Sequence, residues 1–207
     1  MNRPAAVPLR KGKAGKPGKA AEPRLSRQRR PEAMDAADWQ RALRRQFGRE
    51  QSFELQNLGS EPVFSDFRVH NPATLSNYRV AVRGLQPGDN FCTCPDYATN
   101  DLGTCKHVEF TLGKLLARRG GKAAFARGYA PTFSEIWLQY GVQRRLRLRA
   151  GSACPATLAA RGHRLFGADD ELRDAALAAL NDFIASADSR GHELRVHDDA
   201  LAFVAQL

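Results

Sequence analysis

The sequence predicts an α+β chain: an antiparallel β-meander leading into a ββα-type module, followed by a small α/β C-terminal segment. Three observations predict it. Apolar and polar residues alternate around Phe53 and Leu55, around Phe67 and Val69, and through Tyr78, Val80 and Val82, the period of half-buried strands. Apolar stripes at helical spacing flank these strands, Trp39, Leu43 and Phe47 before them and Val108, Leu112, Leu115 and Leu116 after. Between the last strand and the second stripe lie Cys92, Cys94, Cys105 and His107, within sixteen positions.

Taken in order, residues 1–31 read as a basic tail of Pro, Gly, Ala, Lys and Arg with almost no apolar anchor, too poor in buried surface to fold. The net charge of +10 is concentrated there: residues 1–30 hold ten of the 32 Lys and Arg and one of the 22 acids, which leaves 22 basic and 21 acidic residues for the rest. Lys11, Lys13, Lys16 and Lys19 are candidate phosphate contacts, since such an arm gains affinity for DNA by counterion release. A solvated tail without a dedicated partner is an equal alternative, and a mitochondrial presequence a weaker one, because Gly and Pro interrupt any amphipathic helix. The longest apolar runs span a few residues, Ala175 to Leu180 among them, so no membrane-crossing helix is expected.

Residues 32–125 read as an N-terminal helix, the meander and the module, whose core spans about 78–118. Met34 to Phe47 is the helix, with Asp35 or Asp38 as its cap and Arg41, Arg44 and Arg45 off the apolar stripe. Asn71-Pro72-Ala73 and Pro87-Gly88-Asp89 supply turns. The last strand is expected to end in the first two cysteines, with residues 95–104 as a loop that brings the chain back to them. Whether Tyr97 packs there or stays exposed is open. The second helix is expected to close at Arg118, Arg119 and Gly120-Gly121.

The cysteine spacing carries the chemistry. Cys92 and Cys94 are two apart, and in a strand such residues share a side. Cys105 and His107 are also two apart, but along a helix that is a rotation of about 200°. They converge only if Cys105 stands at the helix entrance, where first-turn N–H groups can bond thiolate sulfur. Three thiolates and a neutral imidazole around Zn²⁺ leave one formal negative charge, eased by the helix N-terminus with Lys106 adjacent. Cys₃His is a tetrahedral structural set with no open position. The alternatives are a Cys92–Cys94 or Cys94–Cys105 disulfide, or ordinary buried thiols. No secretory segment is recognised, which argues against disulfides and for a cytoplasmic chain, nucleoid-associated if it binds DNA.

The pattern C-x-C, ten residues, C-x-H resembles the SWIM-type zinc finger. With Tyr78-Arg79-Val80-Ala81-Val82-Arg83 before it and Val108-Glu109-Phe110-Thr111-Leu112 after it, the sequence is similar to the version near the N-terminus of bacterial SWI/SNF-type helicases, from about Trp39 onward. The resemblance implies Cys92, Cys94, Cys105 and His107 as zinc ligands, DNA or protein as partner, and an ATPase motor in cis or trans. The motor's own motifs are absent from this sequence. The same finger in recombination and transposition factors implies a second role, a free-standing protein-interaction adaptor.

Residues 130–207 read as an α+β accessory segment. Ile136, Leu138 and Tyr140 alternate in one strand. A second strand places Val142, Leu146 and Leu148 on one side and Arg145, Arg147 and Arg149 on the other. That arginine row is a candidate phosphate track; a solvated face paired with acids such as Glu135 is the favoured alternative. Cys154 and His163 stand alone and read as structural. Leu172 to Ala187 is expected as one amphipathic helix, then a short strand at Leu194 and Val196, then a helix capped by Asp198-Asp199. The apolar end at Leu207 suggests that the segment belongs to a longer assembly. No enzyme is expected. Gly113-Lys114 lies inside a helix and is not a P-loop, and the sequence has neither H-E-x-x-H nor a nucleophile in triad context.

Overall fold

A computed structural model describes residues 24–206. Lys11, Lys13, Lys16 and Lys19 lie outside the described residues. Among the described residues there are seven α-helices and seven strands, the strands form a four-stranded and a three-stranded sheet, and buried apolar side chains of both sheets join one continuous core.

Helix α1 (Ala36–Glu50) starts at Asp35, whose side chain accepts the Asp38 N–H at 2.7 Å. Its packing partner is α3 (Lys106–Ala117). The two backbones meet at Gly48, where an added Cβ would stand 2.8 Å from the Phe110 nitrogen. The buried residues on α1 are therefore Leu43, Gln46 and Gly48, while Trp39 and Phe47 are half-buried at the rim of the expected stripe.

The meander forms as expected, in the order β1 (Glu54–Asn57), β2 (Asp66–Asn71), β3 (Ser76–Ala81), β4 (Phe91–Cys92), all antiparallel. Phe67, Val69 and Val80 are fully buried toward the helices. Two expectations are corrected where the chain leaves the sheet. Strand β4 stops at Cys92, and Cys94 does not lie on it. Residues 95–104 are not simply a loop: Pro95–Thr99 forms a short helix, α2, with Cys94 as N-cap and proline in its first turn. The hairpin-then-helix order survives with this extra turn inserted.

Helix α3 begins at Cys105, as the spacing required. It ends at Ala117, and Gly120-Gly121 does not terminate it. Gly120, at φ 79°, instead caps a further helix, α4 (Gly121–Arg127).

The second sheet has the order β6 (Arg145–Arg149), β5 (Ser134–Gln139), β7 (Leu194–Val196), with β5 and β6 antiparallel and β5 and β7 parallel. As the central strand, β5 is covered on both faces, so Glu135 and Trp137 are buried along with Ile136 and Leu138. Val142 falls in the hairpin turn and is 87% exposed, not on the apolar side of β6. The parallel pairing needs a crossover, built from α5 (Ala156–Phe166), a 3₁₀ turn (Asp174–Ala179) and α6 (Leu180–Asp188). The single helix expected over Leu172–Ala187 is thus two pieces, and α5 was not expected at all. The final helix, α7 (Asp198–Val204), is capped at His197, with Asp198 and Asp199 in its first turn.

Candidate metal centre

The four donors come from three helix or strand ends. Cys92 closes β4, Cys94 caps α2, Cys105 caps α3, and His107 lies in the first turn of α3. One donor atom from each falls within 4.8 Å of all the others, and all four residues are buried. This is the one such cluster among the described residues. The Cys92 and Cys105 sulfurs stand 3.9 and 4.0 Å from His107 Nδ1, so Nδ1 is the nitrogen turned inward. Around a tetrahedral zinc, S···N and S···S separations are about 3.6–3.8 Å. The cluster is within a few tenths of an ångström of that at the measured pairs and fits a divalent ion such as zinc. All four cysteines are free, so neither alternative disulfide is formed. Cys154 is remote from the cluster, its thiol facing the Pro155 carbonyl at 3.7 Å.

Charge explains why the cluster calls for a cation. Three thiolates this close would repel one another, and the cluster pulls its thiols in opposite directions. Cys94 is pushed far down by thiol hydrogen bonds from Cys105 and Cys92, helped by the Tyr97 N–H at 3.4 Å. Cys92 is pushed up by its hydrogen bonds with Cys105 and Cys94 and by burial. Burial chiefly raises Cys105. A dication would let all three ionise. The expected N–H···S contact forms at α2 from Tyr97 at 3.4 Å, and at α3 the Val108 N–H faces the Cys105 sulfur in a weaker interaction that lowers its pKa against burial.

The surroundings fix the donors. The His107 ring lies stacked on Tyr78 with centroids 4.4 Å apart, and Phe53 flanks it at 5.1 Å. Lys106 extends over the same Phe53 ring at 5.9 Å. Thr111 donates to the His107 carbonyl at 2.8 Å. Tyr97 is buried, donates its hydroxyl to the Asn90 carbonyl, and packs against Tyr140 at 4.8 Å. Its phenol is raised by burial. Gly103, at φ 66°, lets the return loop touch the 87–88 turn: an added Cβ would stand 2.5 Å from the Gly88 nitrogen. That contact sets where Cys105 re-enters.

Sequence reasoning missed the role of α1. Arg44 binds Asp96 in the first turn of α2, and Arg45 binds Glu109 in the first turn of α3. The available signal was that each acid lies two residues beyond a candidate ligand.

The arginine row lies on one side of β6. Arg145 meets Glu171 at 2.5 Å; Arg147 meets Gln139 at 2.8 Å and Glu171 at 3.9 Å; Arg149 pairs with Glu135. Arg149 also lies over the Trp137 and Tyr129 rings at 4.5 and 4.8 Å. Tyr129 is pushed up to about 12 by burial. Glu135 is the hub, 1% exposed, with Arg83 at 3.5 Å and His197 at 3.1 Å as further partners. Burial alone would raise its pKa, but the His197 hydrogen bond and the Arg83 and Arg149 charges outweigh that and hold it down. No described helix is long and apolar enough to cross a membrane.

No protein-family model, curated protein or solved structure matches this chain.

Proposed function

We propose that the chain is a SWIM-type zinc module without catalytic activity, which makes DNA or protein contacts as an accessory region of a SWI/SNF-type helicase. One observation carries the reading: four buried donors, three sulfurs and a nitrogen, lie within 4.8 Å of one another at the ends of β4, α2 and α3. Four donors of this kind complete a tetrahedral shell and leave the ion no position for water or substrate. The ion then ties three chain ends together, replacing apolar contacts that so small a unit lacks. The C-x-C…C-x-H spacing supports the SWIM assignment.

A second reading is the free-standing protein-interaction adaptor. It is favoured by the arginine row, whose members all have partners within the chain and so offer less to a phosphate backbone.

The test is metal content by mass under native and denaturing conditions. One zinc per chain, lost on denaturation, is expected. A folded chain carrying no metal after purification with zinc present would reject the reading.

A further inference from the structure

The outer edge of β1 has no neighbouring strand. Its register shows which groups point outward. Leu58 N–H bonds the Asp66 carbonyl at 2.8 Å, so Gln56 and Glu54, at alternate positions, are the residues whose backbone faces β2. The N–H and C=O groups of Leu55 and Asn57 therefore face away from the sheet, and none of them has a hydrogen-bond partner among the described residues. Beside this edge, an open cleft of about 360 Å³ separates β1 from the second half of α3. Its floor is Phe53, Leu55 and Phe110, and its far wall is Lys114, Ala117 and Arg118. Lys114 and Arg118 are exposed and have no ion-pair partner among the described residues. Glu54 and Gln56 line a second cleft with Arg68 and His70, on the opposite side of the strand.

We infer that the β1 edge and the β1–α3 cleft bind an extended acidic segment of a partner protein as an added strand. The inference rests on the proposed metal centre, which anchors the start of α3, and it names the partner class for the protein-contact reading. A strand needs an unpaired row of N–H and C=O groups, and alternate pockets give it specificity. Both are present. Glutamates at every second position of the added strand would enter the cleft, their methylenes over Phe53, Leu55 and Phe110 and their carboxylates at Lys114 and Arg118, while the alternate side chains face the other side of the sheet. The charge also selects the occupant. The chain's own residues 1–30 carry ten Lys and Arg against one acid, the wrong sign for this wall.

The test uses the full zinc-loaded chain and a fluorescein-labelled peptide of alternating Glu and Val, followed by anisotropy. Saturable binding is expected. Lys114→Glu with Arg118→Glu should weaken it about tenfold, the scale of two exposed ion pairs. The matching Lys–Val peptide should show the reverse preference, binding the double variant better than the parent. N-methylating alternate residues of the peptide in one register should abolish binding, and in the other leave it intact, with the protein unchanged. No saturable binding, equal affinity for parent and double variant, or indifference to N-methylation in both registers would overturn the inference. So would a duplex DNA that displaces the peptide and itself loses affinity for the double variant, since the wall would then serve nucleic acid. Native mass spectrometry on the same samples separates the two failures: one zinc without peptide binding rejects only this inference, whereas no zinc in the parent rejects the metal reading.

Discussion

Arg44 grips both oxygens of the Asp96 carboxylate, with contacts of 3.1 and 2.6 Å. Asp96 is two residues past Cys94, so a helix that contributes no donor orients one that does. Arg45 repeats the arrangement on α3 through Glu109 at 3.0 Å, and Glu109 in turn accepts from Thr104, next to Cys105. The sequence thus spends two arginines of α1 on aiming Cys94 and Cys105.

Arg44→Lys keeps the charge and loses the fork. The expected result is a stability loss of about 1 kcal/mol and zinc transfer to a chromogenic chelator faster than in the parent. Arg45→Lys should do less, because Arg45 is 58% exposed and solvent screens its pair. Equal transfer rates for parent and Arg44→Lys would show that α1 merely packs against the centre.

Cys94→Ser tests the ligand set where its consequences are widest, because Cys94 is both donor and helix cap. Loss of zinc and loss of protection from hydrogen exchange across α2 and the start of α3 are expected. Cys154→Ser is the control and should leave both unchanged, since Cys154 stands apart from the cluster. A Cys94→Ser protein that keeps one zinc and parental exchange would exclude Cys94 as a ligand.

Much of this site was legible in the sequence because its determinants are local. The alternation around Phe67, Val69 and Val80 marks strands, and two-residue spacing forces Cys105 to a helix entrance; both held. What failed depended either on a local alternative to the strand or on partners distant in sequence. Cys94 left the strand because Pro95 favours a first helical turn, and the Cys94 sulfur could accept the Tyr97 N–H. Helix α5 is buried through Leu158, Gly162 and Phe166, a stripe with one residue too small to register as apolar periodicity. Gly162 is small because Leu148 lies against it, 2.6 Å from where a Cβ would be. Glu135 looked like a surface acid because strand alternation does not reveal that β5 is covered on both faces.

Glu135→Gln should be severely destabilising. The carboxylate is 1% exposed and serves Arg83, itself 6% exposed, so an amide leaves a buried guanidinium without its counter-charge. Breaking a buried pair from one side costs about 3–5 kcal/mol, and chemical denaturation would read it directly. A loss below about 1 kcal/mol would mean that Arg83 reaches water or another acceptor once Glu135 is neutral.

The same residue predicts an acid limb. Its folded pKa lies below the ordinary 4.5, so the unfolded chain takes up the proton first as pH falls. The stability Glu135 supplies is therefore complete above 4.5 and is lost as pH drops below that value through the folded pKa. In a background with and without Glu135→Gln, the difference in unfolding free energy should be flat near neutral pH and shrink below 4.5. A difference that stays constant down to strongly acidic pH would remove Glu135 from the account of acid stability.

DNA binding, if the chain has it, should reside in the tail and not in the arginine row. Arg145 and Arg147 are held by Glu171, and Arg149 by Glu135, so a phosphate must first compete with a carboxylate already in place. Residues 1–30 have a surplus of nine positive charges by sequence, ten Lys and Arg less Glu22, and of these Arg24 and Arg27 are paired with Glu50. Each phosphate neutralised adds about 0.9 to the slope of log affinity against log salt. Deleting residues 1–30 should flatten that slope, whereas Arg147→Gln should lower thermal stability and leave the slope within error. A slope that survives the deletion but falls by about one unit with Arg147→Gln would move the DNA contact onto β6.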